Sequence, residues 1–238
     1  MAWLSVQSGA AMKWITVGGR PFAIHSDERE AYWDEGTSRS VMEGNEYLLR
    51  EWVDSYSRYF INTVFDLGAN IGAFSCLARN LFPNANIVAV EAHPDNIPYL
   101  TANCGNDPKT TIVPRAVLGI PCPSVVMLDK LDYNGGGWTL ATSGTEIQTV
   151  SIVDLFNKHV PEGRDLDLLK IDTEGCETCI LRGLARFSLL RRVNFIRLEW
   201  HGRKSIVELR ALLRRTHDVW IDTKPLYNGI LVASRKVQ

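Results

Sequence analysis

The sequence predicts an α/β fold with a doubly wound, mostly parallel seven-stranded sheet that includes an antiparallel edge strand. From residue 64 onward, short apolar runs alternate with segments of helical periodicity, an order typical of parallel sheets with helices on both faces. Runs such as 87–90 and 166–169 are close to continuously apolar, as strands covered on both faces must be. The last two runs, separated by Pro225 and Gly229, predict a terminal hairpin that supplies the antiparallel strand.

The predicted elements follow one another with short connections. Seven segments have the composition of strands: residues 64–67, 87–91, 110–118, 166–172, 193–200, 219–223 and 230–234. Four segments have helical periodicity: residues 71–81, 94–103, 176–184 and 205–215. Open sheets of this kind bind ligands beyond the carboxyl ends of their strands, where the strand order reverses. We therefore expect the functional residues at strand carboxyl ends.

We divide the chain into an N-terminal extension or cap, residues 1–60, and a main domain, residues 61–238. A chain of 238 residues fits one domain with a modest extension. Within the extension, residues 14–17 resemble a strand, residues 27–35 are acidic and polar, and residues 46–59 have the periodicity of a helix.

The main domain contains an insertion near residues 121–150 that breaks the strand–helix alternation. Three consecutive glycines at 135–137 separate β-like runs around 125–128 and 138–141. This composition is typical of an inserted hairpin or lid.

Composition disfavours several classes of protein. The formal net charge is −1, from 26 basic and 27 acidic residues, so the chain lacks the basic surface expected of a nucleic-acid binder. No apolar run approaches the ~20 residues that span a bilayer. The N-terminus lacks the features of a secretory signal, and the five cysteines are an odd, scattered set. Together these features indicate a cytoplasmic protein.

Residues 66–72 read DLGANIG and lie where the first predicted strand turns into a helix. Gly68 permits a tight turn, Asn70 tolerates left-handed geometry, and Gly72 lets the helix approach the sheet. A dinucleotide-binding turn would need further glycines at Asn70 and Ser75 to hold a pyrophosphate. S-adenosylmethionine has no phosphate, so this glycine-poor turn indicates that cofactor. We expect Asp66, Gly68, Asn70 and Gly72 to form its binding loop.

An acidic residue closes the second predicted strand. Glu91 lies about 20 residues after Gly72, where a carboxylate accepts hydrogen bonds from both ribose hydroxyls of a bound nucleoside. His93 follows closely, and we expect it to contact the adenosine or to pack beneath it. A glycine-rich turn alone is a weak signal, whereas the turn, the acidic strand end and the α/β alternation together are specific.

Three stretches of the chain resemble the FkbM-type methyltransferases: FDLGANIG at 65–72, VEAHP at 90–94 and LLKIDTEGCE at 168–177. The third, followed by ILRG at 180–183, is the most specific. The resemblance covers roughly residues 62 to 200 and implies a Rossmann-like methyltransferase that transfers a methyl group to a hydroxyl oxygen of a small molecule, sugar or lipid. Thr173 and Cys176 depart from the residues usual in the family, which leaves the cofactor unaffected and says nothing about the acceptor.

Three residues at strand ends are candidates for catalysis. Asp172 ends the fourth strand and is placed to orient or deprotonate the acceptor, although Asp is also a common helix N-cap. Glu199 and His201 lie two residues apart on the fifth strand and so point to the same side, where they form either a catalytic pair or a surface ion pair at the sheet edge. Lys170 lies among apolar neighbours and is expected to pair with an acid.

Other functions remain open at this stage. An NAD-dependent oxidoreductase would need the missing glycines, a nucleic-acid methyltransferase would need basic charge, and a non-catalytic module could keep the fold. Asp172, Glu174, Glu199 and His201 offer ligands that suit Mg²⁺, but no tight spacing supports a metal, and we expect none. Cys176 and Cys179 form a Cys-x-x-Cys motif without the flanking residues of a redox or metal site, so we interpret them as packing residues.

Overall fold

The computed structural model of the chain describes residues 11–50, 61–120, 125–130, 138–141, 144–201, 203–221 and 228–236. The strands are β1 (Met12–Val17), β2 (Arg20–His25), β3 (Thr63–Leu67), β4 (Asn86–Glu91), β5 (Thr110–Pro114), β6 (Ala116–Leu118), β7 (Val125–Lys130), β8 (Trp138–Ala141), β9 (Thr145–Ser151), β10 (Leu166–Ile171), β11 (Val193–His201), β12 (His217–Ile221) and β13 (Asn228–Arg235). The α-helices are α1 (Glu28–Met42), α2 (Ala73–Leu81), α3 (Ile97–Cys104), α4 (Ile152–His159), α5 (Glu177–Arg186) and α6 (Arg203–Leu213).

A seven-stranded sheet forms the centre of the fold, in the order β12-β13-β11-β10-β3-β4-β5. The five strands from β11 to β5 in this order are parallel to one another, as the near-continuous apolar runs in β4 and β10 predict. The terminal hairpin pairs β13 antiparallel with β11, and β12 is the outermost strand. The predicted α/β class and the mostly parallel seven-stranded sheet are confirmed.

The strand order reverses at β3, which lies between β4 and β10. The chain first moves outward from β3 through β4 to β5 and then returns to place β10 and β11 on the other side. The carboxyl ends of β3, β4 and β10 therefore flank the crevice in which such sheets bind ligands.

Alternate residues of the central strands belong to different hydrophobic clusters. Val64 packs in one cluster with Phe74, whereas Phe65 packs in the other with Ile180. Because side chains alternate between the two faces of a strand, the two clusters cover the two faces of the sheet. No helix in the described ranges is long and apolar enough to cross a membrane.

The strand predicted over 110–118 is two strands. β5 ends at Pro114 in the large sheet, and β6 belongs to a four-stranded sheet in the order β6-β9-β7-β8. Proline has no N–H to extend a ladder, and the Arg115 N–H turns back to the Val113 carbonyl at 2.9 Å. This break redirects the chain toward the predicted insertion, in which β7 pairs antiparallel with β8 and β9. The three glycines at 135–137 lie outside the described residues.

The N-terminal part contains more structure than its sequence suggested. β1 and β2 form a two-residue hairpin at Gly18 and Gly19, both with positive φ as such turns require. The acidic stretch 27–35 belongs mostly to α1, whose first N–H groups are capped by Asp27 at 3.0 and 3.2 Å. This helix was missed because its polar face dominates the sequence.

The helix predicted over 46–59 begins later than expected. Residues 46–47 lie in a turn, Leu48 has a φ of 53°, and helical geometry starts at residue 49. The remainder of that prediction, residues 51–60, lies outside the described residues. Helix α4 was also missed, although Ser151 caps it by accepting from the Asp154 N–H at 3.0 Å.

The side chain of Asn103, on α3, joins the N-terminal hairpin to the main sheet. Its Oδ1 accepts from the Ala23 N–H at 2.7 Å, and its Nδ2 donates to the carbonyls of Ala23 at 2.9 Å and Ile71 at 2.8 Å. Because Ile71 belongs to the turn after β3, one buried amide links β2 directly to that turn. The hairpin and the turn are thereby fixed relative to each other.

Candidate functional site

The turn after β3 has left-handed backbone geometry at Gly68 (φ 75°), Asn70 (φ 50°) and Gly72 (φ 98°). At Gly68 a Cβ atom would lie 1.7 Å from the Asp172 carbonyl oxygen, so only glycine fits. At Gly72 a Cβ atom would lie 2.7 Å from the Cys104 Sγ. The two glycines thus allow β3 to approach β10 on one side and α2 to approach α3 on the other.

Glu91 connects the end of β4 to this turn. Its Oε2 accepts from the Asn70 N–H at 2.8 Å, and its Oε1 accepts from the His93 N–H at 2.8 Å. The residue is buried, which raises the pKa of its carboxyl group, while the two backbone hydrogen bonds oppose that rise. The Asn96 Nδ2 also donates to Oε1, at 3.3 Å. The carboxylate thus fixes Asn70 in its unusual conformation, and Oε2, which accepts from Asn70, keeps capacity for a further donor.

A cleft of about 740 Å³, open to solvent, lies at the carboxyl ends of the central strands. Five of the predicted site residues line it: Gly68, Asn70, Glu91, His93 and Asp172. The other lining residues include Thr173, Glu174 and Cys176, which belong to the LLKIDTEGCE stretch, and Asn96 and Arg115, which the sequence did not single out.

Asp66 and Gly72, predicted to contact the cofactor, do not line the cleft. Asp66 is fully buried, with its Oδ2 accepting from the Ser75 hydroxyl at 2.7 Å and its Oδ1 lying 3.2 Å from the Lys170 Nζ. Asp66 lies within β3 and Gly72 lies where the turn passes into α2, so both maintain the conformation of the turn without lining the cleft.

Lys170 is the buried cation of this region. Its Nζ donates to the Gly68 carbonyl at 2.6 Å and lies 3.2 Å from Asp66 and 3.6 Å from Asp172. Burial lowers the pKa of Lys170, but the charges of Asp66 and Asp172 outweigh that effect and raise it. The predicted pairing with an acid is therefore found, and the ammonium joins the turn to the end of β10.

Asp172 follows β10 directly, and its N–H donates to the Leu67 carbonyl at 3.0 Å. Its Oδ2 accepts from the Tyr47 hydroxyl at 2.9 Å. Helix α5 is instead preceded by Cys176 as its N-cap residue. The alternative interpretation of Asp172 as a helix cap is therefore wrong.

Glu199 and His201 lie on the same side of β11, as their spacing predicted, with 3.7 Å between Glu199 Oε1 and His201 Nε2. The two side chains are within ion-pair distance, but β11 is an interior strand, so the predicted position at a sheet edge is wrong. Burial, and then the charge of Asp172, raises the pKa of Glu199 to about 8. Burial lowers the pKa of His201, but the carboxylates of Glu177 and Glu174 raise it overall to about 9.

The structure brings the three candidate catalytic residues together. One ligand atom each from Asp172, Glu199 and His201 lies within 4.8 Å of the others. Such oxygen and imidazole atoms are suitable ligands for a divalent cation. Glu174, the fourth residue considered for Mg²⁺, has its Oε2 at 3.4 Å from the His201 Nε2.

The Cys-x-x-Cys motif has packing contacts. Cys176 is a buried free thiol at the start of α5, and the Cys179 Sγ accepts from the Gly119 N–H at 3.2 Å. A Cβ atom on Gly119 would lie 1.9 Å from the Cys179 carbonyl oxygen, so this segment lies directly against α5. These contacts agree with the interpretation of the two cysteines as packing residues.

Solved structures share this architecture. The METTL16 MTase domain superposes with a TM-score of 0.53 at 12% identity, covering 94% of this chain and 86% of that chain. The methyltransferase FkbM from Methylobacillus flagellatus KT superposes with a TM-score of 0.50 at 13% identity, covering 73% of this chain and 43% of that chain. At these identities the likeness shows the fold. No curated protein gives a significant match.

The sequence itself matches a family model. The model, described as the methyltransferase FkbM domain, matches residues 66–219, which is more than half of the chain. This range includes the turn after β3, Glu91, Asp172 and the end of β11, and it excludes the N-terminal sixty residues, as the resemblance predicted. The oxidoreductase alternative is thereby set aside, and the chain belongs to the FkbM family of S-adenosylmethionine-dependent methyltransferases.

Proposed function

We propose that this protein transfers a methyl group from S-adenosylmethionine to a hydroxyl oxygen of a small molecule, a sugar or a lipid. The main support is the carboxylate of Asp172, which lies beside the cofactor turn at the switch point and lines the cleft. The cofactor supplies a methyl group already activated by its sulfonium. The protein must then align the acceptor hydroxyl and receive its proton.

The cleft suits this cofactor. Gly68 and Asn70 present the backbone of a tight turn, and Glu91 presents a buried carboxylate that we assign to the ribose hydroxyls. His93, also buried, lines the same cleft and is assigned to the adenosine. Asp66 and Gly72 maintain the conformation of the turn. These assignments extend the sequence predictions with one change, because we give Asp66 and Gly72 an indirect role.

In the proposed reaction Asp172 orients the acceptor hydroxyl and accepts its proton. We give Glu199 and His201 a supporting role. With a pKa of about 9, His201 is mostly protonated at neutral pH, and with a pKa of about 8, Glu199 is mostly neutral. Neither group is then in the form of a general base, whereas both can donate hydrogen bonds that orient an acceptor or Asp172.

We further propose that the acceptor is not a nucleic acid, since the net charge of −1 provides no basic surface for a polyanion.

We also propose that residues 1–60 act as a substrate-side cap on a main domain of residues 61–238, and that the insertion near 121–150 shapes the acceptor pocket. Support for the cap comes from Tyr47, which contacts Asp172. A cytoplasmic location is supported by the free thiols of Cys76, Cys104, Cys176 and Cys179.

Calorimetry and a turnover assay test this proposal. S-adenosylhomocysteine should bind and NADH should not. Radiolabelled S-adenosylmethionine, incubated with the protein and fractionated extracts of small molecules, sugars and lipids, should label one fraction. Asp172→Asn should abolish that labelling while binding S-adenosylhomocysteine as the wild type does. Labelling retained by Asp172→Asn would reject the proposed role of Asp172, and binding without any labelling would favour a non-catalytic module.

Whether methyl transfer requires a divalent cation is tested separately. We propose that transfer proceeds without a metal, because Lys170, Tyr47 and His201 already surround the carboxylates with donors. Dialysis against EDTA should therefore leave the labelling unchanged. Loss of labelling with recovery on adding Mg²⁺ would instead assign a cation to Asp172, Glu199 and His201.

A further inference from the structure

Tyr47 is fixed in place by contacts from several elements. Its carbonyl accepts from the Arg197 Nε at 3.0 Å, and Arg197 is itself buried on β11. Its ring meets the ring of Phe74 edge to face, with centroids 5.3 Å apart, and the Lys170 Nζ lies 5.6 Å from its centroid. Only 3% of the residue is exposed. A side chain held this firmly has one position available for its hydroxyl group.

That hydroxyl makes the two oxygens of Asp172 unequal. The Tyr47 hydroxyl donates to Asp172 Oδ2 at 2.9 Å, and the Lys170 Nζ lies 3.6 Å from the same oxygen. Both of these contacts are to Oδ2, and neither the Tyr47 hydroxyl nor the Lys170 ammonium hydrogen-bonds to Oδ1. The carboxylate is thus held through one oxygen, and the other is left for a ligand in the cleft that Asp172 lines.

The direction of this hydrogen bond is also fixed. Burial, followed by the charges of Asp172, Glu199 and Glu46, raises the pKa of Tyr47 well above its ordinary value. The hydroxyl therefore keeps its proton throughout the neutral range. A protonated hydroxyl beside a carboxylate is a donor, so Tyr47 donates to Asp172 and not the reverse.

We propose that Tyr47 is a positioning residue, which holds Asp172 through Oδ2 so that Oδ1 meets the acceptor hydroxyl. The N-terminal segment then supplies part of the reactive geometry, from a residue 125 positions away in the chain and outside the range of the family match. This inference rests on the proposed function of Asp172. Its own content is the bond between the two side chains, which can be measured without any acceptor.

The variant Tyr47→Phe removes the hydroxyl and keeps the ring that packs on Phe74. Tyr99→Phe is the matched control, since Tyr99 is equally buried and its hydroxyl donates to the Ala11 carbonyl, away from Asp172. Infrared spectra of protein labelled with ¹³C-aspartate, minus the spectrum of Asp172→Asn, isolate the Asp172 carboxylate band. We expect that band to move in Tyr47→Phe and to stay unchanged in Tyr99→Phe. An unmoved band in Tyr47→Phe would overturn the proposal.

A second measurement keeps the test decisive if Tyr47→Phe fails to fold. In wild-type protein labelled with ¹³C at tyrosine Cζ, the Tyr47 resonance should shift when Asp172 is changed to Asn, while the Tyr99 resonance should not. Identical Tyr47 resonances in both proteins would contradict the hydrogen bond. In Tyr47→Phe, binding of S-adenosylhomocysteine should change less than twofold, because Tyr47 does not line the cofactor cleft.

Turnover separates this inference from the proposed function. With the labelled fraction as acceptor, Tyr47→Phe should lower kcat about tenfold to a hundredfold and leave the KM for S-adenosylmethionine unchanged, as expected for a misaligned reactive group. If Asp172→Asn is fully active, the role of Asp172 fails. If Asp172→Asn is inactive and Tyr47→Phe is fully active, only the role of Tyr47 fails.

Discussion

At the scale of single residues, Glu91 both shapes the cofactor turn and faces the cleft. Its two oxygens accept from the backbone of Asn70 and His93, so its removal frees one N–H in the turn and another beyond β4. The same oxygens are those that we assign to the ribose hydroxyls. A single substitution at Glu91 therefore affects the cofactor in two ways, through the turn and through direct contact.

We predict that Glu91→Ala weakens S-adenosylhomocysteine binding about tenfold to a hundredfold, since hydrogen bonds to a charged group are worth about 1.5–3 kcal/mol. Isothermal titration calorimetry measures this change. Glu35→Ala is the control, because Glu35 pairs with Arg39 on α1 and does not line the cleft. A dissociation constant equal to that of the wild type in Glu91→Ala would refute the ribose assignment.

Lys170 shows why residue type alone did not reveal the site. The sequence indicated that this lysine pairs with an acid, and the structure has it between two acids and a carbonyl of the cofactor turn. Its ammonium holds the turn and the candidate catalytic carboxylate at a fixed separation. That role depends on β3 and β10 being neighbours, which becomes apparent only when the sheet is assembled.

At the scale of elements, the close approach of β3 and β10 depends on Gly68. We predict that Gly68→Ala lowers the free energy of unfolding by about 2 to 4 kcal/mol, from the left-handed backbone together with the collision against the Asp172 carbonyl. It should also abolish cofactor binding. Urea unfolding and calorimetry measure the two effects.

Gly36→Ala is the matched control for this substitution. Gly36 lies within α1, and a Cβ atom there would meet nothing within 4 Å. Alanine is the better helix former, so this variant should gain about 0.5–1 kcal/mol and bind the cofactor normally. Equal destabilisation by both substitutions would contradict the proposed geometry of the turn.

The end of β11 makes the stability of the fold depend on pH. The pKa of His201 is raised from 6.5 to about 9 and that of Glu199 from 4.5 to about 8, so between pH 6.5 and 8 the folded state holds more protons than the unfolded state at both groups. Stability must then fall as pH rises through this window. The favourable contribution of His201 is complete below pH 6.5 and lost through pH 9.

We predict that the free energy of unfolding, measured in urea at several pH values from 6.5 to 8, declines with pH in the wild type. The decline should be shallower in Glu199→Gln and in His201→Gln, because each variant removes one of the two titrating groups. A pH-independent wild type, or variants with the wild-type slope, would show that the two groups do not titrate as a buried cluster.

At the scale of the whole molecule, the sequence predicts the sheet well because parallel strands must be apolar along their length. β3, β4, β10 and β11 each coincide with a largely apolar run that can be recognised from the sequence alone. Helix α1 escaped notice because its buried residues, which include Asp34 and Ser38, are not all apolar. The sequence shows a proline at position 114, but it does not show that the strand after this proline joins a second sheet.

The residues of the site likewise include some that the sequence predicts and some that it does not. Gly68, Asn70, Glu91 and Asp172 could be predicted because each lies at the end of a strand, where local sequence and fold class together define a place. Tyr47 could not, because nothing in a polar turn near the N-terminus indicates which acidic residue its hydroxyl group will meet. Contacts of this kind depend on tertiary packing, and periodicity contains no information about them.

The side chain of Asn103 has a consequence for the thermodynamics of the chain. It bonds to both Ala23 on β2 and Ile71 in the cofactor turn, so the docking of the hairpin and the ordering of the turn are linked equilibria. Linkage is reciprocal: if docking of the hairpin favours binding of the ligand, the bound ligand favours docking of the hairpin by the same coupling free energy. Hydrogen exchange followed by mass spectrometry should therefore show slower exchange in β1 and β2 when S-adenosylhomocysteine is added, and Asn103→Ala should remove that protection. If the ligand does not change the rate of hydrogen exchange in the hairpin, the cofactor cleft and the N-terminal segment are energetically independent.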